Sequence, residues 1–200
     1  MAKKWSNKNL PGALHFVTGN VLNRKAIFRR DIACTAFLKE LQYLRTEHQC
    51  KVIAFVVMPH HGHCILNPQN GNIQQATGIL KSLSAKRIVE ISPAGAFWNG
   101  KENQVWQESF KSLPLWSGWM IRQKINYIHS NPIRADLVGS TEDYRWSSFH
   151  AFYRNETDPL LQVDKEWLWP DDMEKLTKAM AEWDREKEEK YWAIRKKQKG

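Results

Sequence analysis

Two histidines, His61 and His63, stand two residues apart in a segment whose composition favours a β-strand. Side chains at positions i and i+2 of a strand point to the same face, so both imidazoles can bind one metal ion while Gly62 and Cys64 point away. A divalent ion held by two histidines keeps most positions open for an oxygen ligand, water and a substrate phosphate, as catalysis requires. The same pair also fits two ordinary histidines near a hairpin. The adjacent His60 lies on the opposite face of a regular strand, so we expect a turn residue or a DNA contact there.

A second constellation joins Tyr127 and Asn131, which are four residues apart in a segment with helical spacing. Positions i and i+4 share one helical face, so the phenol and the amide can converge on one point. Three isoleucines, Ile121, Ile125 and Ile128, occupy another face that is suited to packing. The alternative is a half-buried core tyrosine followed by an asparagine that ends the helix.

The charge of the chain indicates a polyanionic partner. Lys and Arg total 30 against 21 Asp and Glu, which gives a formal net charge of +9 and a basic isoelectric point. An excess of this kind favours nucleic acid, although many basic proteins only carry solvated basic faces. Six basic residues are reasonable phosphate contacts, namely Lys81, Lys86, Arg87, Arg122, Lys124 and Arg134.

Cysteine usage and hydropathy indicate a soluble cytoplasmic protein. Cys34, Cys50 and Cys64 are odd in number and widely spaced, and they lack the CxxC pairing of common zinc or redox motifs. No stretch approaches the roughly 20 apolar residues that a membrane span needs. The first residues lead into no apolar signal core. We therefore expect a reducing compartment and no membrane partner.

Hydrophobic periodicity predicts seven elements that can position these residues. They are strand 13–21, a helix from Asp31, strand 51–58, strand 61–66, helix 72–91, strand 104–110 and helix 116–129, which stops before Asn131-Pro132. This order matches a ferredoxin-like α+β fold, with helices on one face of an antiparallel sheet. After Pro159 the pattern changes to a Trp-rich loop and a charged helix over 171–197. We predict a catalytic domain at 1–158 and a mostly helical extension at 159–200.

Several separated motifs carry a resemblance to a known family. They are the run FVVMPHHGH from Phe55 to His63, Val105-Trp106-Gln107 with Phe110, YIHSNPIRA from Tyr127 to Ala135, and YRWSS from Tyr144 to Ser148. In this order they resemble the single-tyrosine HUH transposase superfamily, and most of all its REP-associated tyrosine transposase branch. The resemblance runs from about Pro11 to Phe152 and implies the HUH endonuclease fold.

The resemblance also implies residue roles. His61 and His63 match the metal ligands, Tyr127 matches the nucleophile, and Asn131 matches the third protein ligand near the tyrosine. We therefore expect an enzyme that nicks and joins single-stranded or hairpin DNA through a 5′-phosphotyrosine, with Mg²⁺ or Mn²⁺ as cofactor. A free tyrosine has a pKa of about 10, so the ion or a neighbour such as Lys124 has to activate it.

Two departures from the family pattern leave alternatives open. The family usually has Asn where His60 stands and a bulky apolar residue where Gly62 stands, and glycine loosens a strand. One alternative is a catalytically weakened protein that binds hairpin DNA. Another is a metal-dependent hydrolase that uses water in place of tyrosine. Both a monomer and a homodimer are compatible with the sequence.

Overall fold

The computed structural model describes residues 9–10, 12–98 and 103–165. The predicted helix over 171–197 lies outside the described residues. Within these described residues, four strands and four helices follow one another. They are β1 (Leu14–Asn20), α1 (Asp31–Glu47), β2 (Cys50–Met58), β3 (His61–Pro68), α2 (Ile73–Glu90), β4 (Lys111–Leu115), α3 (Gly118–Arg134) and α4 (Phe149–Tyr153), with 3-10 turns at Leu22–Arg24, Ile27–Arg29 and Thr141–Asp143.

The strands form one antiparallel sheet in the order β2-β3-β1-β4. β2 and β3 form the predicted hairpin, in which Met58 pairs with His61 across a two-residue turn. β1 then pairs with β3 so that Thr18 lies opposite His63. This order is the ferredoxin-like one, and the predicted α+β fold is confirmed.

Helices α1 and α2 cover one face of the sheet as predicted, but α3 lies across the other face, so the helices are not confined to one side. The spacing of Phe37, Leu41 and Leu44 places all three on the buried side of α1, as predicted. A Cβ added to Gly62 of β3 would stand 3.5 Å from the Phe37 ring. His63, the next residue, contacts Tyr127 of α3 instead. Successive residues of β3 therefore point to opposite faces of the sheet, one towards the hydrophobic core and the next towards the candidate site.

The last strand was predicted too early in the chain. Residues 104–110 pass the end of β1 as a loop with one isolated bridge between Val21 and Trp106, and Trp106 is buried in the core. The strand forms at Lys111–Leu115 and contains Pro114, a residue that normally argues against a strand. Among the described strands β4 pairs with β1 alone and stands at the edge of the sheet, where a proline is tolerated.

Helix α3 also continues beyond its predicted end. The prediction that it stops before Asn131-Pro132 is wrong, since the helix runs through Pro132 to Arg134. Proline removes one donor, but the N–H of Ala135 still donates to the carbonyl of Asn131 at 3.0 Å. Asn131 is therefore a residue of the helix and has no part in ending it.

Residues 144–148 pair with the outer edge of β2. The N–H of Val57 donates to the Trp146 carbonyl at 2.8 Å, and the N–H of Ser148 donates to the Phe55 carbonyl at 3.0 Å. The Tyr144 hydroxyl donates to the Val57 carbonyl at 2.8 Å. The YRWSS motif thus completes the hydrogen bonding of a buried strand.

The chain remains packed on the sheet after α4. Leu161 is fully buried, and the Asp164 carboxylate accepts hydrogen bonds from Arg45 at 2.7 and 2.9 Å and from the N–H of Val52 at 2.9 Å. The compact unit of the chain reaches Asp164, beyond the predicted boundary at residue 158. That boundary and the helical extension stay predictions.

The expectations from composition concerned the cysteines and a membrane span. Cys34, Cys50 and Cys64 are all free and buried. Burial raises the pKa of the Cys34 and Cys50 thiols to about 12, so they behave as small hydrophobic side chains. In the part of the chain that the structure describes, no helix has both the length and the apolar character needed to cross a bilayer. The cytoplasmic location stays a prediction.

Candidate active site

His63 is held on the α3 face of the sheet by its partner in β1. The Thr18 hydroxyl lies 2.9 Å from Nδ1 of His63, while Nε2 is buried and has no hydrogen-bond partner. A buried N–H without an acceptor is costly, so we assign the single proton of neutral His63 to Nδ1, which donates to Thr18. The assignment leaves the Nε2 lone pair free. His63 thus has the state that a metal ligand requires.

His61 lies beside His63 on the same side of the sheet. The two ring centroids are 4.8 Å apart and the rings are steeply inclined to each other. Burial, followed by the positive charge that a protonated His60 and Arg24 would place nearby, lowers the pKa of His61 to about 4. Burial, then His61 and Lys124, lowers the pKa of His63 to about 3. Both imidazoles are therefore neutral at pH 7.

His60 lies in the turn between β2 and β3. A turn residue was one of the two roles predicted for it, the other being a DNA contact. Its ring stacks on His61 with centroids 4.7 Å apart, and the two Nδ1 atoms are 2.8 Å apart. Nη2 of Arg24 lies 3.0 Å from Nε2 of His60. Across residues 12–98 and 103–165, no group of three or more His, Cys, Asp or Glu side chains is arranged to hold a metal. Within the described residues, a third protein ligand beside His61 and His63 would thus be of another type.

Tyr127 reaches this pair of histidines from α3. The Ser117 hydroxyl caps the helix by accepting from the N–H of Met120 at 3.2 Å. Buried isoleucines on one face of α3 hold it against the sheet. The Tyr127 ring, which is half-buried, lies 5.3 Å from the His63 ring and 5.8 Å from Phe16, which itself stacks on His63 at 5.3 Å. The structure thus brings together the two motifs, which are more than sixty residues apart in the sequence.

Two of the predicted phosphate contacts flank the Tyr127 ring. Nζ of Lys124 lies 5.6 Å from the ring centroid, and the guanidinium carbon of Arg134 lies 5.7 Å from it. Arg122 is exposed on the same helix, α3. A phosphate that approaches Tyr127 would therefore enter positively charged surroundings.

The other three predicted phosphate contacts lie on α2, on the far side of the sheet. Nζ of Lys81 donates to the carbonyls of Gln107 and Glu108 at 2.6 and 2.8 Å. Arg87 pairs with Glu40 at 3.2 Å and with Glu90 at 3.7 Å. Lys86 is exposed in the same helix. These residues do not adjoin Tyr127, and their role as DNA contacts stays a prediction.

Asn131 follows Tyr127 by one helical turn, and its Nδ2 is buried without a hydrogen-bond partner. The oxygen and nitrogen of an amide are assigned from hydrogen bonding, so exchanging them places Oδ1 at that unpartnered position. Two neutral imidazoles and one amide oxygen are ligands that Mn²⁺ or Mg²⁺ accepts, with positions left open. The unpartnered atoms of His63 and Asn131 are therefore compatible with a divalent ion.

His129 and Ser148 were not singled out from the sequence, although both belong to its motifs. Nε2 of His129 lies 2.8 Å from the Ser148 hydroxyl, which accepts from the N–H of Phe55 at 2.9 Å and lies 3.3 Å from the Phe55 carbonyl. Burial lowers the pKa of His129 to about 4, so it is neutral as well. This cluster joins α3 to β2 two residues after Tyr127. It therefore fixes the position of the tyrosine.

Gly62 points away from the site and into the core. The space beside it is taken by Phe37, whose ring packs next to Phe28 and Trp106. A bulky side chain at position 62 would compete with Phe37 for the same volume. The departure of Gly62 from the family pattern is thus accommodated on the face opposite to His61 and His63.

Comparisons with known proteins agree with this fold. The family of IS200-like transposases matches residues 12–131, more than half of the chain. A REP-associated tyrosine transposase of Escherichia coli (strain K12) is 24% identical over 144 residues, which cover 70% of this chain and 79% of that protein. The solved structure of a REP-associated tyrosine transposase bound to a REP hairpin matches with a TM-score of 0.61 at 20% identity, covering 82% of this chain and 93% of that chain. The chain belongs to the family of IS200-like transposases.

Proposed function

We propose that this protein nicks and rejoins single-stranded DNA through a covalent bond to Tyr127. The observation that carries the proposal is the free Nε2 of His63, which is buried beside the Tyr127 ring. A buried imidazole with a strongly lowered pKa, next to a potential nucleophile and two cations, marks a candidate functional site, and the two cations suit a phosphate substrate. Membership of a transposase family supports the same reaction class.

In the proposed reaction the Tyr127 oxygen attacks a DNA phosphorus and loses its proton. The bond from phosphorus to the 3′-oxygen breaks, and that oxygen takes up a proton. The products are a 5′-phosphotyrosine and a free 3′-hydroxyl. Because the phosphodiester energy is kept in the covalent bond, the reverse reaction rejoins DNA without another energy source.

The residues around Tyr127 would position the phosphate and compensate its charge. His61, His63 and Asn131 would hold Mg²⁺ or Mn²⁺, and a bound ion would offset the negative charge that develops on the phosphoryl oxygens. Lys124 and Arg134 flank the phenol ring and would contribute positive charge to the phosphate that it attacks. Thr18 fixes the ring of His63 and its tautomer.

Hairpin DNA is the substrate that we propose. One similar protein is a REP-associated tyrosine transposase, and the matching solved structure is bound to a REP hairpin. The exposed cations of α3 suit a nucleic-acid backbone, which basic side chains contact with strong salt dependence. The Tyr127–His63 contact lies within one chain, so we propose that a single copy completes the site.

The test is an adduct assay with an end-labelled hairpin oligonucleotide and Mn²⁺ or Mg²⁺. Wild-type protein is expected to form a covalent protein–DNA complex that resists denaturation, and Tyr127→Phe is expected to form none. Tyr153→Phe is the matched control because its hydroxyl donates to the exposed Asn126 of α3 at 3.3 Å and contacts no described residue of the candidate site. It should react like the wild type.

Two further results would replace the proposal with one of its rivals. Cleavage that persists in Tyr127→Phe but is lost in His61→Ala would indicate a metal-dependent hydrolase that uses water. Hairpin binding without any adduct, under every divalent metal tried, would indicate a DNA-binding protein that has lost catalysis. Two single variants thus separate three functions.

A further inference from the structure

The loop between β1 and α1 is built around the turn that carries His60. The N–H of Val21 donates to the His60 carbonyl, and the N–H of Phe28 donates to the Pro59 carbonyl, both at 3.0 Å. Within this loop Arg24 has a φ of 51°, and the residue before it has a φ of 54°. Left-handed backbone is disfavoured for residues with a side chain, and it is kept where the surroundings impose it. The loop therefore directs Arg24 at His60.

Hydrogen-bond rules fix the protons along the row Arg24, His60 and His61. A guanidinium can only donate, so Nε2 of His60 accepts from Arg24 across 3.0 Å. The one proton of neutral His60 is then on Nδ1, and it bridges the 2.8 Å gap to Nδ1 of His61. The proton of His61 is consequently on Nε2. With Arg24 in place, neither nitrogen of His61 has a free lone pair.

A metal ion bound through Nε2 of His61 requires the opposite arrangement. To bind an ion through Nε2, neutral His61 must carry its proton on Nδ1 and donate it to His60. His60 then carries its own proton on Nε2, where it faces the Nη2–H of Arg24. Two donors cannot share one hydrogen bond. The Arg24–His60 contact and the ion on His61 therefore exclude each other.

We propose that Arg24 leaves His60 when a divalent ion binds, and that a DNA phosphate is its second partner. The inference rests on the proposed metal site. Arg24 is exposed and stands one histidine away from that site, and a guanidinium matches a phosphate with two parallel hydrogen bonds. The divalent ion and the DNA thus both favour the position in which Arg24 has left His60. By linkage, metal and DNA bind this protein cooperatively.

The first test measures Mn²⁺ binding to the full chain without DNA, by titration calorimetry. Arg24→Gln is expected to tighten Mn²⁺ binding, because the glutamine side chain can accept a hydrogen bond from His60. The gain should be up to about tenfold, which is the contribution of one exposed hydrogen bond to a charged donor. Arg24→Lys keeps a side chain that only donates and should bind like the wild type. Arg29→Gln removes another exposed cation of the same loop and serves as the control for charge.

The second test measures hairpin DNA affinity against salt, with and without Mn²⁺. With Mn²⁺ present, Arg24→Gln should weaken binding and reduce the log–log salt slope by about one, as expected for one lost phosphate contact. The gain in DNA affinity that Mn²⁺ gives should be smaller in Arg24→Gln than in Arg29→Gln. Unchanged cooperativity in Arg24→Gln would overturn the proposal.

The outcomes also separate this inference from the proposed function. If Mn²⁺ binding is lost in His63→Ala but is the same in Arg24→Gln as in the wild type, the metal site stands and the role of Arg24 falls. If Arg24→Gln alone binds Mn²⁺ measurably, the exclusion is supported. If neither the wild type nor Arg24→Gln binds Mn²⁺, the metal site and the inference both fall.

Discussion

The cluster at Ser148 gives a prediction that does not depend on metal or DNA. Replacing Ser148 by alanine removes the hydroxyl that accepts from the N–H of Phe55 at 2.9 Å. Nδ1 of His129 is buried without a partner, so we assign the single proton of neutral His129 to Nε2, which donates to the same hydroxyl across 2.8 Å. Ser148 is 1% exposed, Phe55 is fully buried and His129 is 3% exposed, so water cannot replace the lost partner. The variant therefore leaves two buried donors without acceptors.

The size of the effect follows from those two donors. An unpaired buried donor costs about 1–3 kcal/mol, so we expect the two donors together to lower the free energy of unfolding of Ser148→Ala by about 2–6 kcal/mol. The Phe55 carbonyl keeps the N–H of Ser148 at 3.0 Å and adds little to the loss. For a chain of this size the midpoint of thermal unfolding should fall by about 4–24 °C.

Urea unfolding followed by circular dichroism measures this loss directly. Ser130→Ala is the matched control, because that hydroxyl makes one long contact of 3.4 Å within α3. Its free energy of unfolding should stay within about 0.5 kcal/mol of the wild type. A loss below about 1 kcal/mol in Ser148→Ala would refute the view that these two donors depend on Ser148.

Three further predictions concern the site, acid stability and the core. Thr18→Val removes the partner of Nδ1 of His63 and should weaken Mn²⁺ binding about 10- to 100-fold in calorimetry, and unchanged affinity would contradict the assigned tautomer. His129 has its pKa lowered from 6.5 to about 4 in the folded protein, so the unfolded chain takes up its proton first and stability falls as the pH drops from 6.5 towards 4. Urea titrations over that pH range should show that His129 accounts for a loss of up to about 3 kcal/mol in the free energy of unfolding. In His129→Gln the free energy of unfolding should change less with pH, and an equal change in both proteins would contradict the lowered pKa of His129. Gly62→Ala should leave the free energy of unfolding within about 1 kcal/mol of the wild type. In Gly62→Ile the new side chain meets the Phe37 ring and should lower the free energy of unfolding by about 1–3 kcal/mol in the same assay, and the double variant with Phe37→Ala should relieve this clash.

Local patterns predicted most of the fold because most elements follow one periodicity. The apolar spacing in α1 and the β-branched run in β2 each indicate one structure, and both elements formed where expected. β4 and the end of α3 were misplaced for a common reason. Pro114 and Pro132 are usually breakers. An edge position in the first case, and a helix that continues past one missing bond in the second, allowed both.

The site was predictable in its members and less so in its surroundings. The i, i+2 spacing of His61 and His63 sets their common face from local geometry. The contact between Thr18 and His63 depends on the β1–β3 register, which no local pattern contains. Charge alone also does not tell on which face a residue lies, so Lys81 was grouped with Lys124 although the sheet separates them.

The pairing of residues 144–148 with β2 has a consequence for behaviour at high concentration. An open four-stranded sheet has two borders with unpaired backbone groups, and each border can recruit a strand from another molecule. The segment that carries Trp146 and Ser148 closes the border at β2. At the other border β4 is only five residues long and carries Lys111 and Pro114, both of which discourage strand addition. The fold thus guards both borders against aggregation, and loss of the 144–148 pairing would expose the most apolar strand of the protein.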